Sequence, residues 1–232
     1  MISGKNMDGF IELVRRVAAH CGLPMESVHT RRRDVVLPGY FRPTKNWDVL
    51  VIHQGRLLAA FEFKSQVGSF GNNFNNRSEE VIGTAADLWA ANRQNAYRLY
   101  GSSYQSPVFV SEPGAPLLNP IIQDDPRPPF LAWLMLLEDC PKSRTPVKVD
   151  EPHFSVFPEF KGASYAKRYQ VLCERLMSRR LYGAAALVLS ESDDGVETGA
   201  YSTLSTATGL KSLFTAFAAK LLSTLAEVDD GG

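Results

Sequence analysis

Cysteine is scarce. Cys21, Cys140 and Cys173 are the only three, far apart in a chain of 232 residues. An odd, scattered set makes no disulfide framework, and without a CxxC pair there is no structural zinc motif. Free thiols suit a cytoplasmic protein, and that location is expected. Net charge is also missing, because Lys+Arg and Asp+Glu number 25 each. The field of the whole molecule therefore attracts no polyanion, and nucleic acid would have to be met by a local basic face. No apolar run approaches the length that spans a bilayer; Leu131 to Leu137 is only strand-sized. The stretch from Met1 to Phe10 lacks the apolar centre of a signal peptide. GxSxG, Walker, GxGxxG and HExxH patterns are all absent. That disfavours serine hydrolases, P-loop motors, dinucleotide enzymes and zinc proteases, and no nucleotide cofactor is expected. His20, His29, His53 and His153 show no metal-ligand spacing.

What is present is an ordinary globular composition, 44% apolar and 22% charged, enough for one large domain over residues 1–232. Phe10, Leu13, Val14, Val17 and Cys21 recur at helical spacing, with Asp8 placed to cap the start and Gly22 to end it. The triplet Arg31, Arg32 and Arg33 follows, a solvated run with some capacity for phosphate. Residues 46–64 form a β-hairpin about Gln54-Gly55. A Gly- and Asn-rich loop from Gly68 to Asn76 precedes a helix from about Arg77 to Tyr100, with Asn76 and Glu79 in capping-box spacing. Six of fourteen prolines fall between Pro113 and Pro129, which excludes regular helix or central strand there. Leu131–Leu137 and Ala184–Leu189 are continuous apolar runs, the pattern of strands buried on both faces. Helices from Ser164 to about Tyr182 and from about Leu210 to Val228 complete the chain. The order predicts an α/β fold with a mixed central sheet flanked by helices.

Chemistry concentrates on the hairpin. Glu62 and Lys64 are two apart in a strand and share a face. Asp48 is on the neighbouring strand. With a two-residue loop at Gln54-Gly55, paired residues have numbers adding to an odd total, which sends the even-numbered Asp48 and Glu62 to opposite faces. A three-residue loop or a bulge makes that total even and brings them together. One of these is required if the three are to form a site. Two carboxylates and an ammonium then suit phosphodiester hydrolysis. Asp48 and Glu62 would bind Mg²⁺, with the main-chain carbonyl of Phe63 as a further ligand. Lys64 would orient water and offset charge on the phosphate. On spacing alone such a set is more often a solvated ion pair. A glycosidase also uses two carboxylates, but it would leave Lys64 without a role.

The surroundings narrow the choice. Leu37-Pro38-Gly39-Tyr40-Phe41-Arg42-Pro43-Thr44-Lys45-Asn46-Trp47-Asp48 leads into the hairpin, and Phe61-Glu62-Phe63-Lys64-Ser65-Gln66-Val67-Gly68 closes it. Phe70-Gly71-Asn72-Asn73-Phe74-Asn75-Asn76-Arg77-Ser78-Glu79-Glu80 follows. Residues 37–90 closely resemble the XhoI-type restriction endonucleases of the PD-(D/E)xK nuclease superfamily. The resemblance implies a restriction-endonuclease-like core and Mg²⁺-dependent cutting of double-stranded DNA by a homodimer. It also implies the palindrome 5′-CTCGAG, cut after its first base. Asp48 matches the first acidic motif, and Glu62 and Lys64 the second. Trp47 stands where the superfamily name has proline. Some superfamily members draw a further carboxylate from the first helix, where Glu12 is the candidate.

Asn72, Asn73, Asn75 and Asn76 are unusually dense for a plain turn, and Asn can pair bidentately with adenine in the major groove. Arg77 suits guanine or phosphate. Ser65 and Gln66, just past the catalytic strand, are expected near the DNA backbone. Two other readings remain open. One is a DNA-binding protein that keeps the fold without cutting. The other is a repair or resolving nuclease on the same fold.

Overall fold

A computed structural model describes residues 7–97, 128–191 and 199–229. Helix α1 (Asp8–His20) ends at Gly22, whose φ of 91° only glycine adopts cheaply. Its N-cap is Met7 and makes no side-chain cap bond, so Asp8 sits inside the first turn, where its charge meets the positive helix end. Short strands β1 (Val28–His29), β2 (Val36–Pro38) and β3 (Thr44–Asn46) follow. The main hairpin is β4 (Val49–His53) and β5 (Arg56–Gln66), then helix α2 (Phe70–Arg93). Strand β6 (Phe130–Glu138), the short α3 (Pro141–Arg144), helix α4 (Tyr165–Ser178), strand β7 (Ala184–Ser190) and helix α5 (Leu210–Asp229) complete the order.

One sheet runs β1-β4-β5-β6-β7, and β2 pairs with β3 in a separate ribbon. β1, β4 and β5 are antiparallel neighbours, whereas β5, β6 and β7 run parallel. The parallel strands are covered on both faces, which explains their continuous apolar runs. On one face α2 and α4 supply Phe70, Val81, Ala85, Leu88, Tyr169 and Leu176 against Leu131, Trp133 and Met135. On the other, α1 and α5 supply Val14, Leu213, Phe217 and Leu221 against Phe61, Phe63 and Leu134. Each fully buried side chain of this size is worth about 1.5–3 kcal/mol. The expected α/β fold with a mixed, helix-flanked sheet is what the chain adopts. No helix among the described residues is long and apolar enough to cross a membrane.

The helix expected from Arg77 starts seven residues earlier, at Phe70. Asn and Gly have weak helix propensity, but Phe70 and Phe74 are one turn apart and both find aromatic partners. Phe70 stacks on Tyr165 at 5.9 Å, and Phe74 meets Tyr169 edge-on at 5.0 Å. Tertiary burial outweighs propensity here. Asn76 is therefore on the second turn and caps nothing; the N-cap is Ser69, in the left-handed region at φ 46°. The helix also stops earlier than expected, at Arg93. The proline-rich stretch up to Arg127 and the expected helix end at Tyr100 lie outside the described residues.

Candidate active site

The parity problem of the hairpin is resolved by a bulge. Gln54 and Gly55 both have positive φ, 48° and 72°, the signature of a two-residue type I′ turn. His53 pairs with Arg56 and Ile52 with Leu57, but Val51 then pairs with Ala59. Leu58 is the extra residue, and beyond it Val49 faces Phe61. Asp48 follows opposite Glu62. Its N–H donates to the Phe61 carbonyl at 3.2 Å, and its Oδ2 accepts the Phe63 N–H at 2.7 Å. A strand residue's N–H and C=O point the same way, so the Phe63 carbonyl is directed to the Asp48 side as well. The Phe63 ring is buried on the other face, beside Phe61 and Phe10.

Glu62 is buried, with 6% of its side chain exposed, between two ammonium groups. Lys64 Nζ lies 2.7 Å from Oε1 and Lys45 Nζ 3.1 Å from Oε2. The Lys45 contact lacks hydrogen-bond alignment, so Oε2 is buried without an aligned donor. Lys45 reaches the site from β3, its ammonium 4.8 Å above the Trp47 ring. Asp48 is open to solvent as a residue, yet its carboxyl is crowded by protein. Burial raises its pKa above the ordinary Asp value. The Phe63 N–H opposes that shift, Glu62 adds to it, and Lys64 and Lys45 oppose it.

Glu62, Lys64 and Lys45 border a polar pocket of about 370 Å³, lined also by Arg42, Glu79, Glu80, Gly83 and Thr84. Among the described residues no three His, Cys, Asp or Glu side chains converge as a ready-made metal cage. The donors do fit a hard cation that keeps water and phosphate ligands. Glu62 Oε2 has spare capacity, and Asp48 has one oxygen with no hydrogen bond from a described residue.

Asp87, on α2, fixes the turn that brings β3 to the pocket. Its carboxylate is buried and accepts the N–H groups of Tyr40 and Phe41, at 2.9 and 2.7 Å, and Arg42 Nε at 2.8 Å. Gly39 passes so close that a Cβ would lie 2.7 Å from Asp87 Oδ2 and 2.6 Å from the Arg42 carbonyl, so a side chain is excluded. Burial acts to raise the Asp87 pKa, but the donated bonds and the Arg42 charge prevail and lower it. Asp87→Ala is expected to cost about 2–4 kcal/mol at neutral pH. Because the folded pKa is depressed, the contribution is present above the ordinary Asp pKa and is lost as pH falls through the folded value. Urea denaturation of both proteins from neutral pH downward should show the gap narrowing in acid. A constant gap would mean the carboxylate's charge is not what holds the turn.

The other expected positions are distributed as follows. Ser65 is exposed. Gln66, expected toward DNA, is instead buried at 4% exposure: its Oε1 accepts Tyr169 Oη and its Nε2 donates to the Gly68 carbonyl. It braces the end of β5 against α4, because even-numbered β5 residues face that helix layer. Asn72, Asn75 and Asn76 are exposed on the first two turns of α2, on a helix rather than a loop; Asn73 is half-buried. Arg77 is half-buried and paired with Glu80 at 2.6 Å. Glu12 pairs with Arg16 at 2.9 Å on α1, which packs on the sheet face away from Glu62 and Lys64. Arg31, Arg32 and Arg33 are exposed. Sequence alone does not single out Lys45, Arg42, Glu80 or Asp87, and it marks Glu79 only as a capping-box partner of Asn76. Lys45 gives itself away only by its strand alternation with Trp47, a weak signal.

A mixed sheet with this acidic pair and lysine at its antiparallel–parallel seam has the layout of a restriction-endonuclease-like core. The chain belongs to the XhoI restriction endonuclease family: the family model described as "Restriction endonuclease XhoI" matches residues 1–115 and 118–203. It is 44% identical over 200 residues to the type II restriction enzyme BstVI of Geobacillus stearothermophilus, covering 84% of this chain and 77% of that protein. It is 46% identical over 179 residues to the type II restriction enzyme XhoI of Xanthomonas vasicola, covering 76% and 62%. Against the type II restriction enzyme AbrI of Azospirillum brasilense it is 50% identical over 151 residues, covering 65% and 56%. The matched part thus spans less than two thirds of the latter two proteins. No solved structure matches the chain.

Proposed function

We propose that this chain is a type II restriction endonuclease that cuts duplex DNA within a short palindrome, as a homodimer in the cytoplasm, with Mg²⁺ as its metal. The observation that carries the reading is the Leu58 bulge, which sets Asp48 opposite Glu62 with Lys64 on the same face. Asp48, Glu62 and the Phe63 carbonyl would hold the metal. Bound there, Mg²⁺ supplies Lewis-acid polarisation of the scissile phosphate and a lowered pKa for water. Lys64, anchored on Glu62, holds an ammonium where it can orient the attacking water and offset charge growing on the phosphate. Lys45 and Arg42 add positive charge to the pocket that must accept the DNA backbone.

Base readout falls to the first turns of α2. Asn72, Asn75 and Asn76 lie within one helical stripe, with Asn73 and Arg77 on the adjacent one. An α-helix fits the major groove, where Asn recognises adenine. Ser65, at the exposed end of β5, is suited to a phosphate. A two-fold dimer presents the same readout to both halves of a palindrome and one active site to each strand. The family suggests 5′-CTCGAG, cut after the first C to leave a TCGA 5′ overhang. The test is digestion of a fully sequenced plasmid, with end mapping and single-base site variants. Cutting at that hexamer alone, with 5′ overhangs, is expected. Binding without cutting would make the chain a non-cleaving DNA-binding protein, and preference for branched or damaged DNA would make it a resolving nuclease.

A further inference from the structure

The turn that Asp87 clamps carries two aromatic rings that no described residue covers. Phe41 is 73% exposed and Tyr40 52%, their rings edge-to-face at 4.9 Å. The turn is not slack. Both backbone N–H groups are held by Asp87 Oδ1, and Gly39 is packed against Oδ2. Tyr97 Oη also donates to the Pro38 carbonyl at 3.0 Å. An aromatic pair held rigidly and left largely uncovered by the described residues adds little to their core, whereas a rigid aromatic loses little entropy when a ligand covers it. The next residue, Arg42, lines the pocket with Lys45, Glu62 and Lys64. The apolar tip therefore adjoins, through Arg42, a pocket in which Arg42, Lys45 and Lys64 stand among Glu62, Glu79 and Glu80.

We propose that the Tyr40–Phe41 tip is a DNA wedge, with Phe41 packing into a base step beside the phosphate that the pocket receives. This rests on the DNA-cutting reading of the pocket. Duplex DNA is the occupant because it is the substrate of the proposed nuclease, and it pairs phosphates for Arg42, Lys45 and Lys64 with flat apolar base faces just inside that line. Apolar side chains pry base steps apart in this way, and base–aromatic stacking tolerates any sequence. A protein partner would need a far broader apolar patch than two rings, and the flanking residues Arg42, Pro43 and Thr44 are exposed without forming one.

The experiment uses the full chain with Ca²⁺ in place of Mg²⁺ and a duplex carrying the mapped cleavage site. 2-Aminopurine is placed in turn at each position flanking the cut. For the native protein, fluorescence should rise several-fold at one step as that base is unstacked. Phe41→Ala should abolish the rise and weaken binding about ten-fold, with the melting temperature unchanged. Phe41→Trp should restore both, and Phe41→Leu should restore binding only in part. A native protein that cuts DNA without any fluorescence rise, or a Phe41→Ala variant that binds like native, overturns the wedge and leaves the nuclease reading intact. A native protein that neither binds nor cuts duplex DNA overturns both. If Phe41→Ala instead changes sedimentation of the DNA-free protein while DNA binding is untouched, the tip is a protein contact and the wedge is overturned.

Discussion

Glu62→Gln, Asp48→Ala and Lys64→Ala should each reduce DNA cleavage at least about a thousand-fold while the protein still folds. Glu62→Gln is the sharpest of the three. It preserves shape, so the buried seat between Lys45 and Lys64 stays filled. It removes the charge that anchors both ammonium groups and one donor of the proposed metal site. Lys45 and Lys64 then repel each other across a neutral amide, and Lys64 loses the partner that aims it. Asp48→Ala leaves the Phe63 N–H without its acceptor and removes the second carboxylate, but Asp48 is exposed as a residue, so the fold tolerates the change. Lys64→Ala keeps both carboxylates and should still bind metal, with the loss falling on turnover rather than on metal affinity. Single-turnover cleavage of a one-site plasmid, with circular dichroism melts of each variant, separates lost chemistry from lost fold. Near-native cutting by any two of the three would remove this set as the active site.

The residues differ in how far sequence alone exposes their roles. Periodicity finds β6 and β7 because strands buried on both faces leave an unbroken apolar run. The hairpin is found for the same kind of local reason, Gln54-Gly55 between a β-branched apolar run and a run that alternates near its end. The decisive feature, the Leu58 bulge, is not visible that way. A bulge is chosen by how β5 is shared between β4 and β6, a non-local constraint, and Leu58 looks like any other strand leucine. Sequence could state that an odd shift was needed but not where it lies. The α2 start is missed for the opposite reason. Asn and Gly carry a strong local signal for turns, and the packing of Phe70 and Phe74 on α4 overrides it. Gln66 is a polar residue that sequence sends outward, yet its even position in β5 turns it toward α4, where Tyr169 satisfies it. Asp87 is hidden similarly, since an acidic residue in a helix reads as solvent-facing until the turn it binds is in place.

A divalent cation should stabilise the native protein and fail to stabilise Asp48→Asn or Glu62→Gln. In the metal-free state the site holds unfavourable charge. Burial holds the Asp48 pKa above its ordinary value, so ionised Asp48 is less comfortable folded than unfolded at neutral pH. Its raised folded pKa favours the fold at pH below the ordinary Asp range, and that advantage is gone once pH rises through the folded value. Asp48→Asn removes the charge of this crowded carboxyl and should therefore melt no lower than native in EDTA at neutral pH, an instance of an active site held at some cost to stability. Adding Mg²⁺ or Mn²⁺ reverses the order. A ligand that binds only the folded state adds about 2.7 kcal/mol at a hundred times its Kd, and the two variants lack a donor for it. The native melting temperature should rise with metal concentration while those of the variants stay flat, and cleavage should vanish in excess EDTA. Ca²⁺ should give the melting shift and DNA binding with little cutting, because it accepts oxygen ligands but is a weaker Lewis acid. Undiminished cleavage in EDTA would make the reaction independent of a removable metal, and a metal shift that survives in both Asp48→Asn and Glu62→Gln would place the metal elsewhere; either result leaves the Asp48–Glu62 pair without the proposed metal role.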